Sequence, residues 1–134
     1  MSQKNLIGWL VGLSLLSGCG SVERRQQADI LETTLYSYSN NIRWGNLQQA
    51  YLFLSPTVTK DIQVPPGLEE IRVVSYDVVG SVQQTSESTA TQNVRIGYYR
   101  VGQPSLRTIM DRQTWTYDPE AKTWYLGSDI PSFR

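Results

Sequence analysis

What this sequence lacks narrows its chemistry first. It has no histidine and a single cysteine, Cys19. Histidine is the side chain that titrates nearest neutrality, so any acid–base work falls to Asp, Glu, Tyr and Lys. One cysteine allows no intrachain disulfide and no cysteine-rich metal site. Charged residues are only 18% of the chain and balance at twelve of each sign, which leaves no basic stripe for nucleic acid. There is no Gly-rich phosphate loop, nucleophile elbow or set of residues at metal-ligand spacing. The expectation is therefore a non-enzyme, with no catalytic residue, no metal and no cofactor.

The first residues supply the firmest positive signal. Residues 1–5 are short and polar with Lys4 as their only charge, and residues 6–16 are apolar and uncharged. That run of about eleven residues makes roughly 16 Å of helix, too short for a bilayer core that needs about 20 residues. The order is that of a secretory signal. It closes on Leu16-Ser17-Gly18-Cys19, which resembles the lipobox of bacterial lipoproteins. The resemblance implies a signal peptide over 1–18, cleavage before Cys19, and lipidation of Cys19 by a diacylglyceryl group and fatty-acyl chains such as palmitate. Two or more buried chains hold a protein firmly to a membrane. In Gram-negative members an Asp after the cysteine retains the protein at the inner membrane. Here residue 20 is Gly, so the family rule points to the cell outer membrane, facing the periplasm. In a Gram-positive source it would be the outer face of the cytoplasmic membrane.

Removing 1–18 takes away Lys4 and no acid, so eleven basic side chains remain against twelve acidic ones. The remaining 116 or so residues suit one domain. Residues 19–21 read as the lipidated cysteine and a short tether, and 22–134 as a single domain. Over 22–43, Leu31, Leu35, Tyr38 and Ile42 recur at helical spacing and fall on one face. Gly45 suits the end of that helix and Asn46 the N-cap of a second, shorter one over 47–54, stopped by Ser55-Pro56. Trp44 is expected to pack into the kink between them. Residues 57–67 read as a connection ending in Pro65-Pro66-Gly67.

Strand patterns then take over, at 70–82, 89–101, 105–117 and 123–127. In the second, Val94, Ile96 and Tyr98 alternate against Arg95, Tyr99 and Val101. In the third, Leu106, Thr108 and Met110 alternate against Arg107, Ile109 and Asp111. Short turns between them predict an antiparallel meander, and helices before strands predict α+β, with a long and a short helix packed on a curved four-stranded sheet. Residues 36–54, with the Trp-Gly-Asn break, and the hairpin from Trp115-Thr116-Tyr117-Asp118 to Trp124-Tyr125-Leu126 resemble the NTF2-like (cystatin-like) roll. That resemblance implies a cone-shaped sheet whose mouth can hold a ligand.

Two sets of side chains are candidates for function. Asp77 and Asp111 stand mid-strand. Either faces solvent or pairs with an arginine such as Arg72, Arg95 or Arg107, or it points inward as a pocket acid, which is costly unless paired. Tyr98, Tyr99, Trp115, Tyr117, Trp124 and Tyr125 cluster in the last three strands. They serve either as core or as a binding surface, and adjacent pairs such as Tyr98–Tyr99 and Trp124–Tyr125 must point to opposite faces.

Two functions follow. One is a lipid-anchored, non-catalytic binding or scaffolding module for an envelope protein assembly. The alternative is an NTF2-like pocket for a small hydrophobic ligand. A filled cone favours the first, and an acid at the bottom of an apolar cavity the second. Replacing Cys19 by Ala is expected to release the protein from membranes or leave it uncleaved, read by fractionation and intact mass. Unchanged attachment and mass would refute lipidation.

Overall fold

The computed structural model describes residues 17–134. The apolar leader segment up to Leu16 and the side chain of Cys19 lie outside the described residues. Among the described residues, no helix is long and apolar enough to cross a membrane.

The chain opens with helix α1, Ser17–Trp44, 28 residues. It starts earlier than the apolar spacing predicts, and residues 19–21 are helical. From Gly20 to Gln26 every residue is exposed. The apolar face begins with Ile30 and Leu31 and continues through Leu35, Tyr38 and Ile42, all buried or packed against the core. Gly45 ends the helix through close approach: its N–H reaches the carbonyls of Asn40 and Asn41 at 3.1 Å. A Cβ there would lie 2.9 Å from the Asn41 side-chain oxygen and 3.1 Å from its main chain.

Asn46 then caps the next element, its side-chain oxygen accepting from Gln48 N–H at 2.9 Å. That element, Leu47–Phe53, is a 3-10 helix rather than the expected α-helix. Pro56 does not simply stop the chain. It begins the single turn α2, Pro56–Thr59, where a missing N–H is harmless.

The sheet is an open antiparallel meander in the order β1-β2-β3-β4: β1 Ile71–Ser86, β2 Thr89–Arg100, β3 Gln103–Asp118 and β4 Thr123–Leu126. β1 runs four residues beyond its expected end, through the polar stretch, with Gln83 opposite Thr91 and Gln84 opposite Ala90. Ladder pairing needs main chain only, and polar side chains are tolerated because this edge strand stands in solvent. Register shifts at Val73/Ser75 and Val79/Gln83 bend β1.

Helix α1 and the 3-10 helix Leu47–Phe53 cover one face of the sheet. Val94, Ile96 and Tyr98 of β2, Trp115 of β3, and Trp124 and Leu126 of β4 are buried there against Leu31, Tyr38 and Ile42 of α1 and Leu47, Ala50 and Leu54. The Tyr38 ring meets Trp115 edge-on at 5.2 Å and Phe53 at 5.3 Å. The Trp124 indole N–H donates to the Gln27 carbonyl at 2.9 Å, tying β4 to α1. After β4 the chain returns beneath the sheet, where Phe133 packs on Tyr98 and the Tyr98 hydroxyl donates to the Arg134 main-chain oxygen. Among the described residues no helix covers the other, bare face.

Trp44 does not anchor the kink; it is 74% exposed. Its neighbour Arg43 holds the helix end, donating to the Val73 carbonyl at 2.7 Å while its guanidinium lies 3.7 Å over the Trp44 ring.

Gly97 marks the tightest crossing in the sheet. Its N–H donates to the Ser75 hydroxyl at 3.1 Å where β1 slips register, and a Cβ would sit 2.5 Å from that hydroxyl. Gly97→Ala is expected to destabilise the domain by about 1–3 kcal/mol in urea denaturation. The double variant with Ser75→Ala should lose less than the two single losses summed. A neutral single variant would show that close approach is not what demands glycine there.

Candidate functional site

The six aromatic candidates do not form one surface. Tyr98, Trp115 and Trp124 are core residues, and half-buried Tyr117 leans on Trp124 with ring centroids 5.3 Å apart. Tyr99 and Tyr125 are part-exposed as well; Tyr99 lies on the opposite side of β2 from the buried Tyr98, and Tyr125 lies on the edge strand β4 beside the buried Trp124. Of the six, Tyr99, Tyr117 and Tyr125 keep exposed area, and the other three are buried.

The two acids part in the same way. Asp77 is exposed on the bare face, opposite Arg95 in register, so it is no pocket acid. Asp111 is on the helix-covered face and only 6% exposed. Neither Arg72 nor Arg107 serves it: Arg72 donates to the carbonyls of Glu69 and Ile71, and Arg107 to the main-chain oxygen of Arg134.

Asp111 instead belongs to a buried polar cluster centred on Gln113. The Gln113 amide donates to the Asp111 carboxylate at 2.8 Å and to the Tyr76 hydroxyl at 2.9 Å. Its carbonyl oxygen accepts from the Trp115 indole at 3.1 Å and from Gln92 at 3.3 Å. Burial lifts the Asp111 carboxyl from its ordinary 3.8 to about 6, against the opposing pull of the Gln113 hydrogen bond. Burial likewise pushes Tyr76 up to about 12. Tyr38 is raised further still, by burial first and then by the charges of Asp111, Tyr76 and Tyr51. Its hydroxyl is buried with no hydrogen-bond partner among the described residues.

The cluster can hold a proton at mildly acidic pH. Among the described residues no three His, Cys, Asp or Glu side chains gather to bind a metal. Gln92, Gln113 and Tyr76 were not singled out from the sequence. The signal was present, since Gln113 lies two residues from both Asp111 and Trp115 and so shares their face.

A second feature, a surface groove of about 440 Å³, required the fold to become visible. Asp29, Ile30, Thr33, Thr34 and Ser37 of α1 form one wall, and Leu52 and Phe53 of the 3-10 helix another. Thr123, Trp124 and Tyr125 of β4 complete it. Leu52, on its rim, is 79% exposed. No sequence pattern joins residues from three elements, and Trp124 and Tyr125 are the groove residues that the sequence singles out as candidates.

Asp111 gives the domain a pH signature. In the unfolded chain it titrates near 3.8, and in the fold near 6. Below pH 3.8 both states hold the proton and the stabilisation is complete. Between these values only the fold keeps it, so stability falls as pH rises, by on the order of 3 kcal/mol, and is flat above. Asp111→Asn should abolish this component, read as the difference between the two chains in urea midpoint from pH 3.5 to 7, values spanning the window set by the shift. Parallel profiles would show that Asp111 is not the group responsible.

No protein-family model, no curated protein and no solved structure matches the chain.

Proposed function

We propose that this chain is a lipid-anchored protein of the bacterial cell envelope, fixed through Cys19 to the outer membrane, and that its single domain is a non-catalytic docking module for an envelope protein. The lipobox residues 16–19 and Gly20 support the address. We also read the domain as an NTF2-like roll. A long helix, a Trp-Gly-Asn break, a short helical element and a bent antiparallel meander follow one another in that order.

The observation that carries the docking reading is where the space lies. The inner face of the sheet is occupied by side chains: Trp115, Trp124, Tyr38, Ile96 and Leu126 are fully buried, and Tyr38, Phe53 and Trp115 lock edge to face. The groove lies outside, between α1 and β4, with an exposed leucine on its rim. A protein surface supplies large apolar side chains to such a groove, and exposed apolar patches often mark contact sites. Asp111 is buried, as the ligand-pocket alternative requires, but it sits against Gln113 and Trp115 in a packed interior.

Leu52→Glu and Tyr125→Ala test the reading. Each is expected to reduce capture of a cross-linked envelope partner at least about tenfold, a loss typical of a well-placed interface residue. The melting temperature should hold within a few degrees. Undiminished capture would remove the groove from the function, and a large fall in melting temperature would make the residue core.

A further inference from the structure

β4 has four residues and β3 has sixteen. β4 pairs with β3 only from Trp115 to Asp118, and one more ladder bond follows, from Gly127 N–H to Thr114 O at 2.7 Å. Before Thr114, β3 has β2 on one side and, among the described residues, no strand on the other. The chain after β4 touches β3 through Ser128, whose hydroxyl accepts from Thr114 N–H at 3.0 Å, and through the Arg134 main-chain oxygen, which accepts from the Arg107 guanidinium. In an antiparallel strand the main-chain groups of alternate residues point to opposite sides. Tyr117 N–H donates toward β2, to Ser88, while Thr114 faces the β4 side. The N–H and C=O groups of Leu106, Thr108, Met110 and Arg112 therefore point out of the open edge.

The side chains of these four residues stand on the bare face, Leu106 66% and Met110 49% exposed. Open edges invite another strand, and proteins commonly guard them with bulges, charges or covering segments. The far edge of this sheet is guarded in that way, since β1 carries register shifts and a left-handed Gly80. The β3 edge is regular, paired to β2 without a slip from Thr116 to Arg107.

We propose that this edge binds the same edge of a second copy, antiparallel, about a two-fold axis through Thr108. On the bare face the edge reads Leu106, Thr108, Met110: apolar, threonine, apolar. The pattern is the same in either direction, which is what a two-fold contact demands of a surface that meets itself. Leu106 of each copy meets Met110 of the other, on either side of a Thr108–Thr108 pair, and both kinds of cross-strand pair are favourable. Three hydrogen-bonded residue pairs then exchange about six main-chain bonds. Pro104, which has no N–H, falls opposite Arg112 and ends the ladder at each side. A foreign strand would satisfy the main chain equally well; the palindromic side-chain pattern is what selects a second copy. The pairing involves neither the α1–β4 groove nor the membrane anchor, so it stands or falls apart from the proposed function.

Thr108→Cys in the full-length chain, oxidised in intact cells, tests it. Directly opposed residues of a hydrogen-bonded pair have Cα atoms about 5.5 Å apart, within disulfide range. The expected result is a reducible dimer, linked at position 108 by mass spectrometry and absent from the unmodified chain. Leu106→Cys or Met110→Cys alone should give none, because like positions are then roughly 13 Å apart. The two together should cross-link. Met110→Lys should weaken the dimer about tenfold, with an unchanged melting temperature. A Thr108→Cys chain that stays monomeric, or links to a different protein, overturns the proposal. Preferential cross-linking through Ile109→Cys overturns this register.

Discussion

The meeting of Tyr38 with Trp115 and Phe53 is the contact on which the rest of the structure depends. It joins the middle of α1, the end of the 3-10 helix and the third strand at one point, with rings about 5 Å apart and nearly perpendicular. Everything else in the core is arranged around it. Leu31 and Ile42 extend the contact along α1, and Val94, Ile96 and Leu126 extend it across the sheet. The arrangement has a cost, because the Tyr38 hydroxyl is buried unpartnered, a penalty of about 1–3 kcal/mol for such a group. The ring contacts offset it.

Gln113 solves a related problem on the strand side. A sheet face with Trp115, Tyr76, Gln92 and Asp111 close together brings four polar groups out of water. One amide, with two donor hydrogens and a two-lone-pair carbonyl, satisfies all four neighbours. A fully connected network of this kind fixes side-chain positions more sharply than apolar packing would. It also accounts for a buried carboxyl that needs no arginine.

The sequence made the periodic parts of this fold readable. Leu31, Leu35, Tyr38 and Ile42 declared the buried face of α1, and Val94, Ile96 and Tyr98 declared that of β2, because both patterns follow from backbone geometry. Alternation also separated Tyr98 from Tyr99 and Trp124 from Tyr125. It did not say which of Asp77 and Asp111 would be covered, since the register shifts in β1 change the parity between the two strands. A large ring next to a helix end suggests packing, but the guanidinium of Arg43 takes the anchoring position and Trp44 stays exposed. β1 runs longer than its hydrophobic pattern because pairing is a property of the main chain, and the polar side chains of 83–86 carry no hydrophobic signal. The α1–β4 groove had no linear trace at all.

The early start of α1 bears on how the domain sits above its membrane. With lipid attached at Cys19, as proposed, the first residue of the mature chain is already helical, and the turns through Gln26 keep exposed side chains, with Arg24 3.4 Å from Glu87 in the turn between β1 and β2. Ten residues separate the anchor from Asp29 at the groove wall, about 15 Å of helix. Such a connection works as a stalk and not as a leash: it transmits tilt and rotation, where a flexible linker would average them. The domain would then present its groove at a set height and a limited range of headings, and a partner rooted in the same bilayer would find it already aimed.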